Sequence, residues 1–145
     1  MRRRRSRSRL PRLFPLGLAA LVAISGCAPA ASPDPVLVSL AADALSATRA
    51  AELGTGLRDD ERMFATTASA LLGDMEEKVA DIAREVGLYR PADATDASYR
   101  AELLRASDDA LDAIHAAVAG RGGAEAELKE VADRLEDLEA QGSGS

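Results

Sequence analysis

The sequence is short of the residues on which disulfides, multi-histidine metal sites and large aromatic cores depend. It has one cysteine, Cys27, and one histidine, His115, and it has no tryptophan. A single cysteine excludes an internal disulfide, and a single histidine excludes metal sites that take two or more histidines from one chain. Aromatic residues make up only 3% of the chain, so a core must be built mainly from aliphatic side chains and alanine.

Acidic residues are absent from the first 33 positions, which hold seven arginines and then an uncharged run. The run from Leu13 to Ser25 is 13 residues long and rich in leucine, alanine, valine and isoleucine. Spanning a bilayer core takes about 20 apolar residues, so this run is too short for a permanent transmembrane helix. A basic segment followed by a short apolar one is typical of an export signal.

The residues Ile24-Ser25-Gly26-Cys27 close this apolar run and resemble the lipobox of bacterial lipoproteins. The resemblance implies that a peptidase cuts between Gly26 and Cys27 and that the Cys27 thiol carries a diacylglycerol, with acyl chains such as palmitate. Two or more acyl chains give stable anchoring where one is marginal. We therefore expect a protein held at the extracytoplasmic face of the cell membrane. Ordinary secretion with a free cysteine is the alternative, and the sequence does not choose between the general and the twin-arginine export routes.

The stretch APAASPDP, which follows Cys27, contains three prolines and no large apolar side chain. It predicts an extended linker that reaches roughly 25 Å at about 3.1 Å per residue. The chain is then expected to have four parts: a removed signal peptide (1–26), the lipidated cysteine with its linker (27–35), a helical bundle domain (36–140) and a flexible tail (141–145).

The charge of the mature chain differs from that of the whole sequence. All 24 acidic residues but only 11 of the 18 basic residues follow Gly26, which gives the mature chain a net charge of −13. Such a charge argues against nucleic acid as a partner and against docking of the protein surface on an anionic bilayer. It favours a cationic or envelope protein partner, or a surface that repels its neighbours.

The first two predicted helices have clear start signals. Asp34-Pro35 precedes a helix from Val36 to Leu53, and Gly54-Thr55-Gly56 is expected to end it. The acidic stretch Asp59-Asp60-Glu61 is expected to open the second helix. The apolar stripe of that helix takes six steps over 22 residues, the period of an ordinary amphipathic helix; its members are Phe64, Ala68, Leu71, Met75, Val79, Ile82 and Val86.

The second half of the chain repeats this pattern. A third helix is expected from about Thr95 to Ala119, and the glycine-rich stretch 120–123 forms the next turn. The fourth helix places four apolar residues on one face, namely Leu128, Val131, Leu135 and Leu138. No segment alternates like a half-buried strand. The sequence therefore predicts an all-α fold, a small antiparallel four-helix bundle of up-down-up-down order with a lean core.

The order of a short first helix, a long second helix, the break EVGLYRP and two further helices resembles exported ferritin-like domains of unknown function in bacteria. On the third helix, Asp108, Asp112 and His115 fall on one patch, and their oxygen and nitrogen donors suit a divalent cation. A divalent-metal-binding or ferritin-like bundle that uses these residues is the alternative function.

Catalytic constellations are not recognisable in the sequence. Gly54 and Gly56 form a lone pair between helices rather than a phosphate-binding loop, and the one histidine has only Ser107 nearby as a nucleophile. We therefore predict a protein that is not an enzyme and needs no cofactor beyond its lipid. It is expected to be a binding or assembly module of the cell envelope, and the lean core leaves open whether two copies pair.

Overall fold

The chain from residue 32 to residue 144, described by a computed structural model, forms four α-helices joined by short turns. Each helix packs against the next in antiparallel order, and the last returns to pack against the first. The predicted four-helix bundle is confirmed, whereas the predicted signal peptide and Cys27 lie outside the described residues. The helices are α1 (Pro35–Asp59), α2 (Ala65–Leu88), α3 (Ala94–Val118) and α4 (Ala124–Ser143).

The bundle has two distinct ends. The linker end contains the start of α1, the turn between α2 and α3, and the last turn of α4. The far end contains the α1–α2 and α3–α4 turns. A helix of 25 residues is about 37 Å long at a rise of 1.5 Å per residue, so this distance separates the two ends. Among α1–α4, no helix is both long enough and apolar enough to cross a bilayer.

The core consists of aliphatic side chains with many alanines between them. All four apolar residues predicted on the inner face of α4 are buried. Of the aromatic side chains in residues 32–144, only Tyr99 is buried, whereas Phe64 is 84% exposed. Since alanine buries little area, helix contacts are close but each contributes modestly to stability. The largest fully buried apolar side chains are Leu37, Leu72, Val79, Val86, Leu103, Ile114, Leu128 and Leu135.

The expected end of α1 at Gly54-Thr55-Gly56 is wrong, because α1 continues to Asp59. Gly54 is buried where α1 meets α2, and a Cβ there would lie only 2.6 Å from Leu71 Cδ2. Thr55 donates its hydroxyl to the Ala51 carbonyl at 2.8 Å, a bond made within the helix. A Cβ at Gly56 would lie 2.7 Å from Glu125 Oε1 of α4. Both glycines therefore lie at contacts between helices rather than in a turn, and α1 is as long as α3.

The acidic stretch 59–61 does not open α2. Asp59 is the last residue of α1, and α2 begins only at Ala65. The Leu57 carbonyl accepts the N–H groups of Arg62 and Met63 and thereby closes the turn. Phe64 precedes α2 and is exposed, so it does not belong to the apolar stripe.

Helix α4 extends beyond its expected end. It continues to Ser143, into the segment 141–145 that was expected to be a tail. Gly142 permits this, because a Cβ there would lie 2.5 Å from Val38 Cγ2 of α1. Close packing against α1 thus continues to the last turn of α4.

Candidate functional site

The three residues proposed as metal ligands lie on the exposed side of α3, but they face different neighbours. His115 Nε2 lies 2.9 Å from Glu76 Oε1 of α2. Asp112 instead lines a cavity shared with α4, and Asp108 is exposed. Within residues 32–144, no group of three or more histidine, cysteine, aspartate or glutamate side chains is arranged to hold a metal ion. The structure therefore does not bring Asp108, Asp112 and His115 together as one group.

A groove follows the seam between α3 and α4, and one ion pair divides it. Arg134 Nη1 lies 2.8 Å from Asp109 Oδ2 and joins the two helices. On the linker-end side of this pair is a cavity of about 330 Å³. On the far-end side is a cavity of about 180 Å³. The charged residues of the first cavity are Glu102, Arg105, Asp109, Arg134 and Asp137, and the second is lined by Asp109, Asp112, Glu127, Glu130 and Arg134.

The groove presents charged side chains of both signs. Its carboxylates and guanidinium groups are exposed to water, which weakens their attraction for other charges. The far-end half carries four carboxylates and one arginine, so it favours cationic groups. The sequence predicts that these acidic residues are exposed, but it does not show that α3 and α4 form a groove between them.

A cluster of ion pairs joins α1 to α4. Arg49 bonds Asp133 and Glu136 of α4, both at 2.8 Å, and Glu52 of its own helix at 2.9 Å. Lys129 bonds Asp133 at 2.7 Å. These two cations lower the pKa of Asp133, the Lys129 bond being the larger cause. Asp133 is therefore an anion at neutral pH and acts as an ionic link between helices.

The linker end contains a buried carboxylate that sequence reasoning missed. Asp96, in the first turn of α3, is only 5% exposed. Its Oδ1 accepts the Asp34 N–H at 2.9 Å, and its Oδ2 accepts the Ala92 N–H at 3.2 Å and the Tyr89 hydroxyl at 3.3 Å. Asp96 thus joins the start of α1 to the α2–α3 turn.

The bonds to Asp96 stabilise its charged form. The Asp34 N–H is the largest cause that lowers the pKa of Asp96, and the Ala92 N–H and the Tyr89 hydroxyl act in the same direction. The pKa of the Tyr89 hydroxyl shifts in the opposite direction, because burial and the neighbouring carboxylates of Asp34 and Asp96 raise it. The spacing Asp93-x-x-Asp96 after Pro91 was the available signal, since acidic residues at this spacing cap helix starts.

Comparison of the chain with protein-family models, with curated proteins and with solved structures finds no match.

Proposed function

We propose that this chain is a lipid-anchored protein of the bacterial cell envelope whose helical bundle binds or assembles partners without catalysing a reaction. The observation that carries the proposal is the stretch Ile24-Ser25-Gly26-Cys27 at the end of a basic and then apolar segment. Lipidation explains why the single cysteine of the chain stands at this position. The bundle begins at Pro35, so only a short linker separates it from the proposed anchor.

The α3–α4 groove is the proposed contact surface for a partner. It offers cavities on both sides of the Arg134–Asp109 pair and carries charges of both signs. Its acidic far-end half suits lysine or arginine side chains of an envelope protein, in keeping with the net charge of the mature chain. The exposure of its charged residues supports reversible binding rather than catalysis.

The anchor is tested by expressing the full chain in bacteria as the parent, Cys27→Ser and the control Ser25→Ala, which keeps a small residue before Gly26. Cells are fed an alkyne analogue of palmitate and fractionated. The parent and Ser25→Ala should be labelled and found in the membrane fraction, whereas Cys27→Ser should remain unlabelled and uncleaved. A Cys27→Ser protein that is fully processed and membrane-bound contradicts the anchor.

The groove is tested by placing a photo-reactive amino acid at Arg105, which lines it, and at Ser39, an exposed position on α1. Cross-links to one envelope protein should form from position 105 and not from position 39. Charge reversal at Glu127 and Glu130 should weaken that cross-link. Equal cross-linking from both positions, or none from position 105, contradicts the groove as the contact surface.

A further inference from the structure

The linker end of the bundle is the part that the proposed anchor holds near the bilayer. Seven residue steps separate Cys27 from Asp34, so the fully extended chain reaches at most about 25 Å at 3.3–3.6 Å per residue. The Asp34 N–H is bound by Asp96 at 2.9 Å, which fixes the entry of the linker beside the α2–α3 turn. A chain anchored at Cys27 therefore keeps this turn close to the lipid headgroups.

The α2–α3 turn exposes apolar and cationic side chains. Leu88, the last residue of α2, is 77% exposed, and Arg90 and Pro91 are exposed beside it. The stretch 86–92 contains Arg90 and no acidic residue, in a mature chain with a net charge of −13. An exposed leucine next to an arginine suits the bilayer interface, where the apolar side chain enters the acyl boundary and the cation meets phosphates.

Two backbone carbonyls at this end accept hydrogen bonds from one arginine side chain. Arg100 donates Nε–H to the Val86 carbonyl at 2.8 Å and Nη2–H to the Gly87 carbonyl at 2.7 Å. Both carbonyls belong to the last turn of α2, where carbonyls lack partners from a following helical turn. The Val86 carbonyl also accepts the Tyr89 N–H at 3.3 Å. Arg100 therefore lowers the cost of moving the turn into a less hydrated layer.

Acidic residues flank the turn, since Glu85 and Asp93 are exposed on either side of it. Asp34 accepts the Val36 N–H at 2.7 Å and Asp93 accepts the Asp96 N–H at 2.9 Å, while Asp96 itself is buried. The side of α4, in contrast, carries seven acidic and two basic residues. Contact along that side would bring more carboxylates to the phosphates than contact through the turn, where Glu139 is the nearest acid of α4.

Resting on the lipid anchor proposed above, we propose that the α2–α3 turn is a membrane-contact surface. Leu88 enters the headgroup layer of the bilayer and Arg90 lies at lipid phosphates. The bundle then stands on its linker end, and the far end, about 37 Å away along α1, faces the envelope space.

The test uses the lipidated full chain reconstituted in vesicles of phosphatidylcholine and phosphatidylglycerol. Cys27 is blocked by its lipid, so Leu88→Cys introduces one reactive thiol for an environment-sensitive fluorophore. Phe64→Cys is the matched control, because Phe64 is also apolar and 84% exposed but lies at the far end. Nitroxide-bearing lipids should quench the label at position 88 severalfold more strongly than the label at position 64. Adding Arg90→Glu should weaken that quenching.

Each outcome decides the proposal. Strong quenching at position 88 and weak quenching at position 64 supports it. Equal quenching at the two positions in a protein whose Cys27 lipid is confirmed by mass spectrometry overturns the contact and leaves the anchor intact. Quenching that Arg90→Glu leaves unchanged removes Arg90 from the contact. An unmodified Cys27 in a protein that stays in solution overturns the contact and the anchor together.

Discussion

The two ends of the bundle are held together by different kinds of bond. At the linker end, side chains make the connections: Asp96 bonds α1 to the α2–α3 turn, and Tyr99 donates its hydroxyl to the Leu138 carbonyl of α4 at 3.1 Å. At the far end, α2 begins after Phe64 and α4 after Gly123, neither with a side-chain cap. Backbone hydrogen bonds close both far-end turns, and Arg58 adds one side-chain bond to the Ala117 carbonyl at 2.6 Å.

This difference predicts where the fold depends on particular residues. A buried carboxylate that accepts several hydrogen bonds cannot be replaced by a side chain with fewer acceptor atoms without loss of stability. One of the buried donors would then have no acceptor. Turns closed by backbone bonds tolerate many side chains, since each residue supplies the same N–H and carbonyl groups. The linker end, which depends on these side-chain bonds, is the one that receives the linker from the proposed anchor.

Asp96→Asn should have the largest effect on stability. Three donors meet the two oxygens of Asp96, and an asparagine amide offers one oxygen and one further donor in their place. At least one donor must then face the amide NH₂ group. We expect the thermal midpoint of a soluble 32–145 fragment to fall by about 8 °C, a shift that corresponds to roughly 2 kcal/mol in a domain of this size.

Asp93→Asn is the matched control for that change. Asp93 caps α3 by accepting the Asp96 N–H at 2.9 Å, and asparagine is an equally good cap. The same chemical change at position 93 should therefore leave the midpoint nearly unchanged. Equal losses at the two positions would contradict the special role of Asp96.

The linker end should also be the more acid-sensitive one. The folded-state pKa of Asp96 lies below its ordinary value of 3.8, so its stabilising contribution is fully present above that value. As pH falls below about 3.8 and through the lower folded pKa, the contribution is lost. Hydrogen exchange at pH 7 and pH 3 should show protection near Ala92 and Asp34 decreasing more than protection at the far end. Uniform loss at both ends would contradict this.

Tyr99→Phe should have an intermediate effect. It removes the buried hydroxyl that bonds the Leu138 carbonyl while keeping the ring in the core. One such hydrogen bond contributes about 1 kcal/mol net, which urea unfolding resolves. Burial, with Glu139 and Glu102 nearby, raises the pKa of Tyr99 to about 12, so the hydroxyl remains a donor at all ordinary pH values. An unchanged unfolding free energy would mean that this bond does not contribute.

At the far end, Glu61→Gly should stabilise the fold slightly. Glu61 is a non-glycine residue with a φ of 58°, in the left-handed region where a Cβ costs about 1 kcal/mol. Asp60→Gly is the control, because Asp60 has a φ of −80° and gains nothing from glycine. Glu61→Gly should therefore raise the thermal midpoint slightly, whereas Asp60→Gly should not raise it. A fall with Glu61→Gly would show that its side chain matters.

The smallest effect is expected for His115→Ala. The contact of His115 with Glu76 is exposed, and exposed pairs contribute at most about 1 kcal/mol. Melts of the metal-stripped fragment with Fe(II), Mn(II), Zn(II) and Ca(II) should be the same for His115→Ala and the parent. A cation-specific rise in the parent that is lost in His115→Ala would instead support the metal alternative.

The sequence predicted the fold well where one residue determines a local structure. Asp34-Pro35 begins α1, with Asp34 accepting the Val36 N–H, and Gly120 and Gly123 adopt positive φ in the α3–α4 turn. The predicted end of α1 at Gly54 and Gly56 was wrong because a glycine that allows close helix packing and a glycine that ends a helix look alike in sequence. Only the position of Leu71 on α2 shows which role applies to Gly54.

Candidate sites were harder to predict because they depend on contacts between helices. Helical spacing grouped Asp108, Asp112 and His115 on one patch. In the structure, His115 contacts Glu76 of α2, whereas Asp112 lines a cavity together with residues of α4. The four-residue spacing on α4 likewise allows Glu130 to pair with Arg134, but Arg134 pairs with Asp109 of α3 across the groove. Spacing on one helix describes neighbours within that helix and not those that another helix supplies.

The most direct test of the proposed anchor is mass spectrometry of the N-terminal peptide of the mature protein, purified from bacterial membranes. We predict a peptide that begins at Cys27 and carries a diacylglyceryl group on the sulfur, with no residue of segment 1–26 remaining. A peptide that begins elsewhere, or one that begins at Cys27 with a free thiol, would contradict the lipid anchor and with it the placement of the linker end at the bilayer.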